Sequence, residues 1–194
     1  MKIERPQSRQ PIPENAEKVF SGKIFDVYRW EQEMFDGSKA IFEKLKRPDT
    51  VVVFPILDDG TILLTEQEQP GRESFIDAPS GRVDEGEEIL DAAKRELLEE
   101  TGYEAKEYIL WKTVAPVTKI DWVCYTFIAK GCKKVADQNV DNGERIALKL
   151  VSFDELLKIS RDKRFRAQES IIDFLEAQID PNKYQELKKL FSPK

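Results

Sequence analysis

TVVVFPIL, residues 50–57, is the stretch that most narrows what this chain can become. It is short, continuous, apolar and rich in valine, the pattern of a strand buried in a sheet. Its surroundings read the same way. Residues 18–47 alternate apolar with polar side chains and carry turn signals at Ser21-Gly22 and Asp36-Gly37. That predicts two or three antiparallel strands with a hairpin at Asp36-Gly37. Asp59-Gly60 turns the valine run back into a second arm, TILLTEQEQ (61–69). FIDAP (75–79), 107–114, 121–129 and IALKLVS (146–152) read as further strands, and PSGRVDEGE (79–87) as a loop. Helical patterns occupy 88–101, 153–160, 167–178 and NKYQELKKLF (182–191). Strands fill the first three quarters and helices are few, which predicts an α+β fold with a mixed sheet.

Composition excludes more than it assigns. A chain of 194 residues, 40% of them hydrophobic, suits one domain with a sizeable core. Residues 1–16 are rich in Pro, Gln and charge and predict a flexible arm. The start has no apolar segment of the kind a secretory signal needs, and no 18-residue apolar run offers a membrane span. The cysteines are two, Cys124 and Cys132, which predicts reduced thiols in a cytoplasmic protein. Histidine is absent. That removes Ser-His and Cys-His catalysis and every imidazole metal site. Proton transfer then falls to Glu, Asp, Lys, Tyr or water on a metal. A net charge of −6 argues against nucleic acid or an anionic membrane as partner. A small anionic substrate remains open if a cation offsets the local charge.

One helix carries unusual chemistry. In GRVDEGEEILDAAKRELLEETGY (81–103), Glu96, Glu99 and Glu100 share one face just before Gly102. Like charges at i,i+4 cost roughly 0.2–0.5 kcal/mol per pair. Anions in a last turn oppose the macrodipole by about 0.3–1 kcal/mol each. A hard dication reverses that cost, because Mg²⁺ takes oxygen ligands and binds one or two carboxylates together with substrate phosphates. Arg95 is placed to orient a glutamate as its partner. On this reading Leu90, Leu97 and Leu98 face the core, and Ala92 and Ala93 flank the acidic face. Gly81 lets the preceding loop pass close by through backbone angles closed to other residues. Gly86 makes the turn, and Gly102 ends the helix. Asp84, Glu85, Glu87 and Glu88 stand at the favourable end of the dipole.

Written as Gly81, five residues, Glu87, seven residues, then REL LEETG over 95–102, this stretch resembles the Nudix box of the Nudix hydrolases. Only Tyr103 departs, where a smaller aliphatic is usual. The flanking KVFSGKIFDVY, the hairpin at FDG, and GERIALKLVSFDELL (143–157) resemble the ADP-ribose pyrophosphatase group. The resemblance implies a Nudix α/β/α sandwich over 48–178, with dimer-forming antiparallel strands at 17–47 and a C-terminal helix at 179–194. It implies Mg²⁺-dependent hydrolysis (Mn²⁺ substituting) of a nucleoside diphosphate linked to another moiety, ADP-ribose or another nucleotide sugar first. GDP-mannose, a dinucleotide or a nucleoside triphosphate is the enzymatic alternative, and a non-catalytic nucleotide-binding module the third. Glu96 and Glu100 match the main metal positions, Glu99 a further ligand or base, and Ser80 a metal-binding backbone carbonyl. Glu144 is the base candidate, since a Glu in this loop serves the group as base or extra ligand. Arg47, Arg72 and Arg82 are candidate phosphate contacts. Phe42 is the candidate for stacking on the base, with Trp30 and Trp122 as alternatives.

Three departures bear on substrate. Gln67-Glu68-Gln69 stands where the group usually has Gln-aromatic-Arg, and Asp77 replaces a Glu before Ala78-Pro79-Ser80-Gly81. Ala115-Pro116-Val117 replaces a Ser-Pro-Gly turn.

Overall fold

The structure, a computed structural model, describes residues 3–140 and 142–193. In chain order the strands are β1 (Glu17–Ser21), β2 (Asp26–Glu33), β3 (Lys39–Lys46), β4 (Thr50–Leu57), β5 (Ile62–Glu68), β6 (Phe75–Asp77) and β7 (Ser80–Arg82). Helix α1 (Ile89–Thr101) follows, then β8 (Tyr103–Glu104), β9 (Glu107–Val114), β10 (Ile120–Asp121), β11 (Cys124–Lys134) and β12 (Arg145–Val151). Helices α2 (Phe153–Ile159), α3 (Ile171–Ile179) and α4 (Pro181–Leu190) close the chain. The larger sheet runs β12-β5-β4-β11-β8, with β6 on β5, β7 on β4 and β9 on β11. Strands β4 and β11 are parallel, while β9 meets β11 antiparallel, so the sheet is mixed as expected. A smaller sheet runs β1-β2-β3-β10.

The valine run is apolar throughout because both of its faces are covered. Val51 and Val53 pack with Ala92, Ala93 and Leu97 of α1. Val52, Phe54 and Ile56 belong to a second core with residues of α2, α3 and α4. Each such side chain stabilises the fold by about 1.5–3 kcal/mol relative to exposure. The result is helix, sheet and helices in three layers. The C-terminal helix is part of this core: Phe191 lies 5.4 Å from Phe54 and 5.5 Å from Trp111, ring centre to ring centre. The wheel expectation for α1 needs correcting. Its core face is Ala92, Ala93 and Leu97, while Leu98 is only half-buried. Ala92 and Ala93 are buried against β4, and their small size leaves room for the helix to sit close to the sheet.

Segment 1–16 was expected to be a loose arm, and the part described is anchored. Arg5 donates to Asp49 Oδ2 (2.7 Å) and Asp121 Oδ1 (3.0 Å). The buried Lys44 ammonium donates to Ser8 Oγ at 2.9 Å.

One residue in the valine run shapes the site. Pro55 has no N–H to give to a neighbouring strand. Strands β4 and β5 pair only at Ile56↔Ile62 and splay apart beyond it. Residues 75–82 fill the opening: β6 pairs with β5, β7 pairs with β4, and Val53 N donates to Pro79 O. The sequence predicts a loop throughout 79–87. Ser80–Arg82 is a strand because β4 there lacks any other partner on that side.

Candidate active site and metal centre

Helix α1 lies over β7, and the contact is close. An added Cβ at Gly81 would meet the Glu96 carboxylate at 2.0 Å. Gly81 is absent from the positive-φ glycines, which include Gly86 and Gly102. The expectation that Gly81 serves through special backbone angles is therefore wrong. It is glycine because the carboxylate of Glu96 occupies the space of a side chain. Gly102 does end α1 in the left-handed region, and its N–H donates to Leu98 O at 2.7 Å.

Together these elements enclose a cavity of about 460 Å³ between α1, β7 and the β11–β12 loop. Glu96, Glu99, Glu100, Arg95, Ser80, Arg82 and Glu144 all line it. These are all the predicted metal and catalytic positions and one of the phosphate candidates. The charges are arranged by Arg95. Its guanidinium grips Glu87 through two bonds, at 2.8 and 3.0 Å, and reaches Glu96 at 2.7 Å and Glu99 at 3.2 Å. A further bond ties it to the carbonyl of Arg82 at 2.8 Å. Glu87 was explained in the sequence by the helix dipole alone. Its partner shows a second role, orienting Arg95, and the seven-residue spacing to Arg95 was the signal for it.

Glu100 has a different environment. It is 7% exposed, and among the described residues it has no cationic partner. Its Oε2 accepts from Ser80 N at 3.3 Å and Gln67 Nε2 at 3.4 Å. Burial, then the neighbouring charges of Glu96, Asp77 and Glu144, push its pKa up to about 9. Burial also raises Glu96, against the pull of Arg95. Asp77, in the same wedge between β5 and β4, is pushed up to about 7 by burial. Burial is the leading cause in all three, and a nearby cation would offset it at Glu96 and Glu100.

The donor set fits a hard divalent cation. The candidate donors are all oxygens, and the buried Glu100 has no counter-charge among the described residues. Among the described residues no three His, Cys, Asp or Glu side chains are assembled into a group that could by itself hold a metal ion. A hard cation here would draw its remaining ligands from water and substrate phosphates, as Mg²⁺ does. Replacing Arg95 by Lys keeps the charge but not the fork that holds Glu87, Glu96 and Glu99. Arg95→Lys is expected to lower kcat by about 10–100-fold, the usual scale for groups that orient metal ligands, with little change in Tm. Steady-state rates at saturating metal, with thermal unfolding alongside, check this.

The remaining candidates scatter. Arg82 lines the cavity. Arg47 is not among its lining residues; its guanidinium lies 4.8 Å from the Trp122 ring and 5.8 Å from Phe25. Burial and the charge of Arg82 lower its pKa, and its Nε is buried without a partner. Arg72 stacks on Phe75 at 4.1 Å and donates to Gln69 Oε1 at 3.2 Å, at the rim. Trp122 is tied by its Nε1 to Thr50 Oγ1 at 3.0 Å, one residue before the valines. Phe42 packs on Trp30 in the smaller sheet, 6.1 Å between rings, and does not line the cavity. Gln67 and Gln69 stand out in the sequence only as departures from the group's pattern; Gln138 and Asn139 carry no signal there, because polar residues in a loop have no periodicity.

Known proteins resemble this chain in the same region. Residues 46–174 match the family model described as NUDIX domain. The chain is 32% identical over 148 residues to the ADP-ribose pyrophosphatase of Bacillus subtilis (strain 168), covering 74% of this chain and 79% of that one. It is 29% identical over 161 residues to the methanol dehydrogenase activator of Bacillus methanolicus, covering 81% and 86%. A solved structure of an ADP compounds hydrolase superposes with a TM-score of 0.70 over 90% of this chain and 95% of that chain, at 22% identity, and so shares the fold.

Proposed function

This chain belongs to the Nudix family and is a Nudix pyrophosphohydrolase, and from that premise we propose that it hydrolyses the diphosphate of a nucleoside diphosphate sugar, ADP-ribose first, with Mg²⁺ held by Glu96 and Glu100. The observation that carries the reading is Glu100: a buried carboxyl near Glu96, with no cationic partner among the described residues, on a cavity also lined by Arg82 and Glu144. The ADP-ribose pyrophosphatase of B. subtilis supports the substrate class.

The cation, when bound, supplies Lewis acidity to the diphosphate and acidity to water. The chain supplies the rest. Glu96 and Glu100 would hold the ion, with Glu99 and the Ser80 carbonyl as further donors. Arg95 keeps Glu96 and Glu99 oriented. Arg82, which lines the cavity, meets the phosphate, and Arg47 and Arg72 are the further candidates. Glu144 takes the proton from the attacking water at its carboxylate, since no histidine exists to do so. The products are a nucleoside monophosphate and a sugar phosphate.

The smaller sheet supports a homodimer. Phe20, Ile41, Val19 and Phe35 are exposed apolar side chains on its strands and hairpin. A second copy of this sheet is the surface that fits them, and it would bring Phe42 or Trp30 of one subunit near the other's site. Mass measurement by light scattering tests the dimer.

A panel of ADP-ribose, GDP-mannose, diadenosine diphosphate and ATP, each assayed with Mg²⁺ for released phosphomonoesters, tests the substrate. The reading expects ADP-ribose to lead and to yield AMP and ribose 5-phosphate. Activity confined to the triphosphate would overturn it.

A further inference from the structure

The loop between β11 and β12 carries Glu144, and it is fastened to the helix that carries the metal carboxylates. Val135 N and Ala136 N donate to Gly102 O at 2.9 and 3.1 Å, and Asn139 N donates to Glu99 O at 2.9 Å. These bonds satisfy carbonyls that a helix C-terminus leaves open. Gln138 does something more. Its side-chain amide donates to Glu100 O at 2.6 Å and to Ile146 O at 3.1 Å. One NH₂ group thus joins the last turn of α1 to β12, the edge strand of the larger sheet. Residues 138 and 146 bracket Glu144, so that single amide closes the base of the segment presenting it.

A second glutamine acts at the carboxylate itself. Gln69 Nε2 donates to Glu144 Oε1 at 3.0 Å. The Oε1 of Gln69 accepts from Arg72 Nη1, so the nearest paired cation stands one amide away from Glu144. The amide is neutral and fixes the direction of the Glu144 carboxylate.

We propose that Gln138 and Gln69 are positioning residues for Glu144: Gln138 sets its distance from the Glu96–Glu100 pair, and Gln69 sets its orientation. This rests on Glu144 as the proton acceptor. A residue that only stabilises the loop would behave differently, since its loss would lower Tm and its effect on rate would persist whatever stood at 144.

A double-mutant cycle separates these behaviours. Gln138→Ala and Gln69→Ala are made alone and with Glu144→Gln, and kcat, KM and Tm for ADP-ribose are measured at saturating Mg²⁺. Each single variant is expected to lower kcat about tenfold, with KM within about twofold of the parent. Neither is expected to lower kcat further once Glu144 is Gln. Gln138→Lys, which keeps donors for both carbonyls, is expected to recover most of the lost rate. Full additivity with Glu144→Gln, or unchanged kcat in the single variants, overturns the proposal. Should Glu144→Gln alone turn over at the parental rate, the role of Glu144 falls and the proposal with it, while the substrate panel still stands on its own result.

Discussion

Glu100→Gln is expected to fold at least as well as the parent and to lose about a thousandfold in kcat, the scale of removing a principal electrostatic contribution. The two halves of this expectation come from the same burial. Glu100 is 7% exposed with no cationic partner among the described residues, so an amide fits its surroundings, and only a bound cation would miss the lost charge. The sign of the stability effect follows from its pKa, raised to about 9 by burial and by Glu96. In the metal-free protein the folded state holds a proton that the unfolded chain releases near the usual carboxyl value. That contribution is complete below the unfolded pKa and is lost as pH rises through the folded one. The variant's Tm advantage without metal should therefore grow between about pH 6 and pH 9. Thermal unfolding across that range, with kcat at saturating Mg²⁺, checks both halves. A variant that turns over normally would mean the metal lies elsewhere.

Gly81→Ala is the second large effect, and it separates activity from stability more sharply. The new methyl would sit 2.0 Å from the Glu96 carboxylate. That atom ends a flexible side chain, so it can swing away at a cost of about 1–3 kcal/mol at most. Swinging away removes Glu96 from its place beside Glu100 and from its 2.7 Å bond to Arg95. We expect kcat to fall by about a hundredfold or more, with a change in Tm of only a few degrees. A variant that is fully active would show that the close seat of Glu96 on β7 has no part in catalysis.

Much of this could be read in the sequence because periodicity and charge carried it. The valine run at 50–57 and the hairpin at Asp36-Gly37 appear as read. The acidic face of α1 stands where its spacing put it, over a cavity that also admits Glu144 from 44 residues beyond Glu100. What was not legible depended on contacts between distant segments. Gly81 was rightly singled out for the wrong reason, since only the approach of α1 reveals the missing side chain as space for Glu96. Strand β7 was invisible because it exists through the splay that Pro55 imposes on β4 and β5. Gln138 lies in a polar loop, and its two acceptors are backbone carbonyls that no composition or pattern encodes.

The central claim is that Glu96 and Glu100 form a proton-linked site for a divalent cation. Calorimetric titration of the substrate-free protein with Mg²⁺, at several pH values and in buffers of different ionisation enthalpy, tests it most directly. Affinity should rise about tenfold per pH unit up to about pH 9, with close to one proton released per ion, and Glu100→Gln should remove both effects. Binding that is independent of pH, or unchanged in Glu100→Gln, would contradict the account.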